Sequence, residues 1–183
     1  MRKMLYLLLI IFVIITALFA YEIHTFDKYI SNPNNGKMNI PINENAPVKS
    51  KNQIVIDASI DTVWKILTDI NNWTKWQKAV SETVVMGEIK EGTKFNWKAG
   101  GLSFKSMIHT DNPTSRFGWT GTTFGASAIH NWTFEEKDCK TIVKVEESLQ
   151  GVFPRLFSGY FQKNLDSGIV TNLEELKTAS ENK

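Results

Sequence analysis

The sequence predicts an α+β fold in which a curved antiparallel sheet wraps around one long C-terminal helix, preceded by an N-terminal transmembrane segment. Three observations support this fold class: an unbroken apolar run at residues 4–20, about six strand-like runs between residues 80 and 149, and an apolar stripe of helical spacing after Pro154. Sequential strands joined by short turns form an antiparallel meander. Packing the apolar face of such a sheet against an amphipathic helix buries both faces.

The N-terminal segment has the composition of a membrane anchor. Arg2 and Lys3 precede the run 4–20, which contains no charged residue. At ~1.5 Å rise per residue, this run nearly spans a hydrocarbon core of ~30 Å. It is longer than the apolar region of a signal peptide, and Leu18 stands where cleavage prefers a small residue. We therefore expect an uncleaved single-pass anchor in residues 1–21, with the domain extracytoplasmic by the positive-inside rule; secretion after signal cleavage is the alternative.

Residues 22–50 have the composition of a linker. They are rich in Asn, contain Pro33, Pro41 and Pro47, and show neither helical nor strand periodicity. We interpret them as a tether that holds the domain, expected at residues 51–181, off the bilayer.

The domain is predicted to begin with a strand and two short helices. A β-rich run at residues 53–57 is followed by Ser59, a good N-cap for a first helix that carries Trp64. A second helical turn presents Trp73 and Trp76, which are three residues apart and so share a face. We interpret Trp64 as core, and the other two tryptophans as residues that fix the second turn against the sheet.

The strands and the long helix complete the predicted fold. Turn signals rich in Gly, Asn, Asp and Pro separate the strand-like runs. After Gly151 and Pro154, apolar residues recur at three- to four-residue steps, as in an amphipathic helix. The predicted strands are residues 80–88, 94–99, 102–110, 115–121, 126–136 and 140–149. The apolar stripe of the predicted helix consists of Phe157, Phe161, Leu165, Ile169, Leu173 and Leu176.

Charge and cysteine content argue against several classes of function. The chain has 21 Lys and Arg against 19 Asp and Glu; without Arg2 and Lys3 the basic count is 21 − 2 = 19, so the domain is formally neutral. Nucleic-acid binding needs a basic face, and we expect none. The single cysteine cannot form an internal disulfide. The histidines are far apart and match no zinc motif, so we expect neither a metal nor a cofactor.

Four segments follow one another in the order and spacing of a known superfamily. They are IDASIDTVWKILTDINNWTKW (56–76), RFGWTG (116–121), HNWTF (130–134) and VEESLQG (145–151). In these segments the chain resembles the START-like (SRPBCC) superfamily, in its polyketide cyclase/dehydrase-type branch; Ser59 replaces the usual proline at the first helix start. The resemblance implies the helix-grip fold, with a cavity between the sheet and the long helix for lipids, polyketides or sterols. The superfamily includes both carriers and enzymes, so the function of this chain must be argued from its site.

Strand parity brings a histidine and a carboxylate together. A hairpin turning at Asp138 and Cys139 pairs residues whose numbers sum to about 277, which sets His130 opposite Glu147. A carboxylate that orients an imidazole can form an acid/base pair, so both residues are weak catalytic candidates. A satisfied polar pair that closes one end of the cavity is the favoured interpretation.

The leading functional hypothesis is a membrane-tethered protein that binds a hydrophobic small molecule or lipid in this cavity, with residues 4–20 in the membrane. One alternative is a cyclase- or hydratase-type enzyme for a polyketide-like or aromatic substrate, which would be a lyase acting through His130 and Glu147 without metal or cofactor. Another is an interaction domain with a vestigial cavity. The candidate ligand-binding residues are Trp97, Trp119, His130, Glu147, Phe157 and Phe161.

Overall fold

The computed structural model describes residues 2–31 and 39–182, in which seven strands form one antiparallel sheet of order β1-β7-β6-β5-β4-β3-β2. The strands are β1 (Val48–Ile56), β2 (Val80–Val85), β3 (Lys94–Ala99), β4 (Leu102–Asn112), β5 (Arg116–Thr123), β6 (Ala126–Lys137) and β7 (Lys140–Gln150). The helices are α1 (Arg2–Ile30), α2 (Ile60–Thr68), α3 (Val152–Leu156) and α4 (Ser158–Glu181), with a 3₁₀ helix at Ile70–Lys75. The predicted fold class is confirmed.

The predicted meander is confirmed strand by strand, with small differences at the ends. The first strand begins at Val48 rather than at residue 53, and β2 ends at Val85 rather than at residue 88. The β6–β7 hairpin turns at Asp138 and Cys139, which both have positive φ, at 52° and 59°. Two central residues with positive φ match the right-handed twist of hairpin strands, and so this turn fixes the register of β6 against β7.

The main core lies between the concave face of the sheet and α4. Leu165, Ile169, Leu173 and Leu176 of the predicted helical stripe are buried in it. Trp73 is 1% exposed, and its Nε1 donates to the carbonyl of Leu67 at 2.7 Å, which anchors the 3₁₀ helix against α2. A bulge in β4 between residues 108 and 110 bends the sheet around this core.

The predicted long helix is broken near its start. α3 and α4 are separated at Phe157, whose φ of −125° and ψ of 40° are not helical. The break turns Phe157 outward, and its side chain is 56% exposed. Its assignment to the apolar stripe of the helix is therefore wrong, because the stripe of α4 begins at Phe161.

α4 covers the edge strand β1 along its length. The side-chain amide of Gln162 both accepts from the backbone N–H of Lys49, at 3.2 Å, and donates to its carbonyl, at 2.7 Å. Nearer the other end, Lys177 donates to the carbonyl of Val55 at 2.7 Å. These contacts satisfy backbone groups that an edge strand otherwise leaves open.

The segment predicted as a linker is partly structured. α1 continues to Ile30, and residues 39–43 lie on the convex face of the sheet. There Ile40 and Ile42 are buried with Phe26 of α1 and Ile129 of β6. This second core could not be predicted from the sequence, because the segment has few apolar residues and they are scattered among Asn and Pro. Residues 32–38, with Pro33, lie outside the described residues, and the division into anchor, linker and domain stays a prediction.

Candidate functional site: a cavity between the sheet and α4

An apolar cavity of about 340 Å³ lies between the concave face of the sheet and α4. Its volume is at the lower end of the ~300–1,000 Å³ typical of small-molecule sites. The aromatic and polar side chains that line it include Trp73, Trp97, Phe104, Trp119, His130, Trp132, Glu147 and Phe161. The cavity position expected from the sequence is therefore present in the structure.

His130 and Glu147 are cross-strand partners in this wall, as strand parity predicted. Nδ1 of His130 lies 2.7 Å from Oε2 of Glu147, and their side chains are 10% and 14% exposed. A carboxylate can only accept a hydrogen bond, so Nδ1 carries the proton and donates it. In the neutral imidazole this arrangement leaves a lone pair on Nε2.

The imidazole of His130 is held between two indole rings. Its centroid lies 4.4 Å from that of Trp119 at an interplanar angle of 9°, and 5.3 Å from that of Trp132 at 21°. Trp119 is its cross-strand neighbour on β5, and Trp132 follows two residues later on the same face of β6. Stacking and the bond to Glu147 together fix the orientation of the ring.

Three buried polar atoms of cavity-lining residues have no hydrogen-bond partner within the described residues. They are Oδ1 of Asn172 on α4 and, on neighbouring rings of β6, Nε2 of His130 and Nε1 of Trp132. The indoles of Trp73 and Trp97, by contrast, donate to the carbonyl of Leu67 and to Oγ of Ser106. An unsatisfied buried polar group costs ~1–3 kcal/mol, so the neighbouring pair on His130 and Trp132 favours a polar group of a bound molecule.

The structure places five of the six predicted ligand-binding residues in the cavity wall. Trp97 is stacked on Phe104 with ring centroids 4.5 Å apart, and Phe161 contributes from α4. Phe157 does not line the cavity, because the break before α4 turns it to solvent. Sequence reasoning missed Trp132 as a wall residue, although it shares the parity of His130 and could have been found from it.

His109 lies outside the cavity, on the convex face of the sheet. Burial lowers its pKa to about 4, and the positive charge of Arg116 acts in the same direction. The backbone N–H of Ile40 donates to its Nδ1 at 3.4 Å. Within the described residues, His, Cys, Asp and Glu side chains form no group of three that could hold a metal ion.

A sheet that grips one long helix around an apolar cavity defines the helix-grip class of START-like proteins. A family model described as polyketide cyclase/dehydrase and lipid transport matches residues 47–181. The chain belongs to this family. A search of curated proteins finds no match.

Solved structures confirm the fold. A hypothetical protein from Helicobacter pylori, jhp0584, aligns with a TM-score of 0.69 at 17% identity, over 84% of this chain and 93% of that one. A START superfamily protein from Mycobacterium smegmatis aligns at 0.65 and 10% identity, over 73% and 97%. The di-domain aromatase/cyclase StfQ of the steffimycin biosynthetic pathway aligns at 0.63 and 13% identity, over 74% of this chain and 51% of that one. At these identities the likeness shows the fold alone.

Proposed function

We propose that this protein binds a hydrophobic small molecule or lipid in the cavity and is held at a membrane by α1. The observation that carries the proposal is a mostly apolar cavity in whose sheet wall two neighbouring buried atoms have no partner within the described residues, Nε2 of His130 and Nε1 of Trp132. Apolar walls with a few placed polar groups are the usual composition of a small-molecule site.

The unpartnered atoms of His130 and Trp132 define the polar part of the ligand. Nε2 of His130 accepts a hydrogen bond when Nδ1 donates to Glu147, whereas Nε1 of Trp132 only donates. A hydroxyl group can both donate and accept, so it is the simplest group that suits this wall. The ligand class is therefore an apolar molecule with a hydroxyl group, such as a hydroxylated lipid or an aromatic alcohol.

The membrane part of the proposal rests on α1. Within the described residues, α1 is the one helix long and apolar enough to cross a membrane, and its most apolar window is not buried against the domain. Arg2 and Lys3 precede the apolar run, which puts the domain on the extracytoplasmic side by the positive-inside rule. The same helix, if cleaved as a signal sequence, would release the domain.

Enzymatic activity is the second candidate, and the His130–Glu147 pair favours it. An imidazole with a free Nε2, oriented by a carboxylate at Nδ1, is the arrangement of a general base. Such a base suits the proton abstraction of a cyclase- or dehydrase-type reaction. For this reaction, the substrate must place a hydroxyl group or an acidic C–H group within reach of Nε2.

Organic extraction of the full-length, detergent-purified protein followed by mass spectrometry tests the binding function. Ala128→Phe places a large ring in the cavity wall, and Val170→Phe makes the same kind of change at an exposed position of α4. We expect a co-purifying hydroxylated compound in the wild type and in Val170→Phe, and at least a tenfold loss in Ala128→Phe. An empty wild-type cavity, or equal loading of all three proteins, would contradict the proposal.

Turnover distinguishes the enzyme from the binding protein. An aromatic β-hydroxyketone is incubated with the full-length protein, and its dehydration is followed by mass spectrometry. An enzyme would lose turnover in His130→Gln while still binding the substrate. Retained turnover in that variant would exclude His130 as the base.

A further inference from the structure

Four elements meet at one end of the domain. They are the β3–β4 turn, the β5–β6 turn, α3 and the start of α4. The β4–β5 register pairs Lys105 with Thr122, so the start of β4 lies beside the β5–β6 turn. Thr123 Oγ1 donates to the carbonyl of Ser103 across this end at 2.9 Å. The backbone N–H of Phe153 in α3 donates to the carbonyl of Gly125 in the same turn. The β6–β7 turn lies at the opposite end of the sheet, because β6 runs from one end to the other.

This end exposes a set of large apolar side chains. Singly exposed apolar residues are common on protein surfaces, but a contiguous group of them marks an interaction site. The group, called the apolar rim below, consists of Leu102 (54% exposed), Phe124 (78%), Leu156 (62%), Phe157 (56%) and Tyr160 (70%).

α1 reaches the apolar rim at the end of its apolar run. The ring of Phe19 lies 5.5 Å from that of Phe124 and 5.9 Å from that of Phe153, centroid to centroid. Glu22, the first acidic residue of the chain, pairs with Arg155 of α3. Phe19 thus belongs to the segment expected in the membrane, and Glu22 lies just beyond it. With α1 spanning a membrane, as proposed above, the apolar rim would lie at the level of the membrane surface.

The cavity also opens at this end. Leu102 belongs to the rim and to the cavity wall, and Phe161, the wall residue of α4, is in ring contact with Tyr160. Asn164 and Gly168 of α4 line the cavity and are exposed to solvent. The opening therefore lies between the start of α4 and the β3–β4 turn, beside the rim.

We propose that the apolar rim docks on the surface of the bilayer that α1 enters, so that a ligand passes between that bilayer and the cavity without crossing water. The occupant of the rim is the lipid surface itself, because the rim is continuous with the apolar helix through Phe19 and Phe124. The inference rests on the proposed function and deepens it: the ligand is a lipid-soluble component of the anchoring membrane. Aromatic side chains such as Tyr160 suit the interface between hydrocarbon and water.

The single cysteine of the chain provides the test. Cys139 is exposed in the β6–β7 turn, at the end of the sheet away from the rim, and serves as the distal label site. Phe124→Cys and Tyr160→Cys, each in a Cys139→Ser background, place the label on the rim. The full-length protein is labelled with an environment-sensitive fluorophore and reconstituted in phosphatidylcholine vesicles with and without doxyl-labelled phosphatidylcholine.

We expect doxyl lipid to quench the labels at positions 124 and 160 at least threefold more than the label at Cys139. Tyr160 is the sharper probe, because its ring contacts that of Phe161 rather than a ring of α1. Equal quenching at all three positions would overturn the docking.

A label at Leu8→Cys and ligand extraction separate failure of docking from failure of the proposed function. Quenching at position 8 with a loaded cavity, but no quenching at positions 124 and 160, would refute docking and leave the binding function standing. No quenching at position 8, or an empty cavity, would refute the proposed function and the exchange route with it.

Discussion

The carboxylate of Glu147 lies 2.7 Å from Nδ1 of His130, and both side chains are nearly buried. Hydrogen bonds to charged groups contribute ~1.5–3 kcal/mol when they are protected from water. Glu147→Ala should lower the free energy of unfolding by about that amount, measured by urea denaturation of the full-length protein in detergent. Glu146→Ala is the matched control on the same strand. Glu146 pairs with exposed Lys51, so its loss should cost less than ~1 kcal/mol. Equal effects would show that the His130 pair is not a protected interaction.

His109 should make stability depend on pH. Its folded-state pKa is lowered from 6.5 to about 4 by burial. Above pH 6.5 the imidazole is neutral in both states and contributes no slope. As the pH falls from 6.5 toward 4, the unfolded chain takes up a proton that the folded chain does not, so the free energy of unfolding decreases by up to ~3 kcal/mol. Urea titrations at several pH values measure this decrease. His109→Gln should remove that part of the slope, and an unchanged slope would contradict the assignment.

Gly118 is closed to larger side chains. A Cβ there would lie 2.5 Å from Oδ1 of Asn131 and 2.7 Å from Cε1 of His109. The Asn131 side chain is held in place because its Nδ2 donates to the carbonyl of Ile40 at 3.0 Å. Gly118→Ala should therefore destabilise the fold by ~1–3 kcal/mol. Gly168→Ala is the control: apart from the backbone of α4 itself, nothing lies within 4 Å of its Cβ position, and the change should stabilise the helix by ~0.5–1 kcal/mol. Urea denaturation of both variants measures these changes. An unchanged free energy of unfolding in Gly118→Ala would show that Asn131 and His109 can move aside.

The contact of residues 39–43 with the convex face depends on Ile40, which is 3% exposed. Ile→Ala at a buried site costs ~2–5 kcal/mol, and here the loss should appear as local opening. In Ile40→Ala we expect faster hydrogen exchange at the amides of Asn39 and Asn43, which donate to Thr110 and Ser148. Ile23→Ala, at a 58% exposed position of α1, should leave both amides protected. Protection that survives in Ile40→Ala would show that the polar contacts alone hold the segment.

The sequence was sufficient to predict the meander, because turn residues divided the strands and parity assigned their faces. His130 opposite Glu147 follows from the position of one tight turn, so it could be predicted without a structure. The position of Phe157 could not, because helical periodicity continues through the break and gives no sign of it. The second core was also missed. Phe26 and Ile40 are separated by a polar stretch, and nothing in the sequence distinguishes Ile129, on the convex face, from other apolar strand residues. Contacts between residues so far apart in the chain can be identified only from the tertiary structure.

The two halves of α4 are attached differently. Gln77 accepts from Asn172 Nδ2, and the backbone N–H of Lys78 donates to Glu175, so the C-terminal half is fastened to the segment before β2 as well as to β1. In the first half, the side-chain hydrogen bonds of the described residues outside α4 go to β1 only, from Gln162 and Asp166. An outward movement of α4 would therefore pivot about β1 and widen the gap beside the β3–β4 turn. In the docked orientation proposed above, the first half of α4 would be a flap hinged on one side, and its unattached side would face the bilayer.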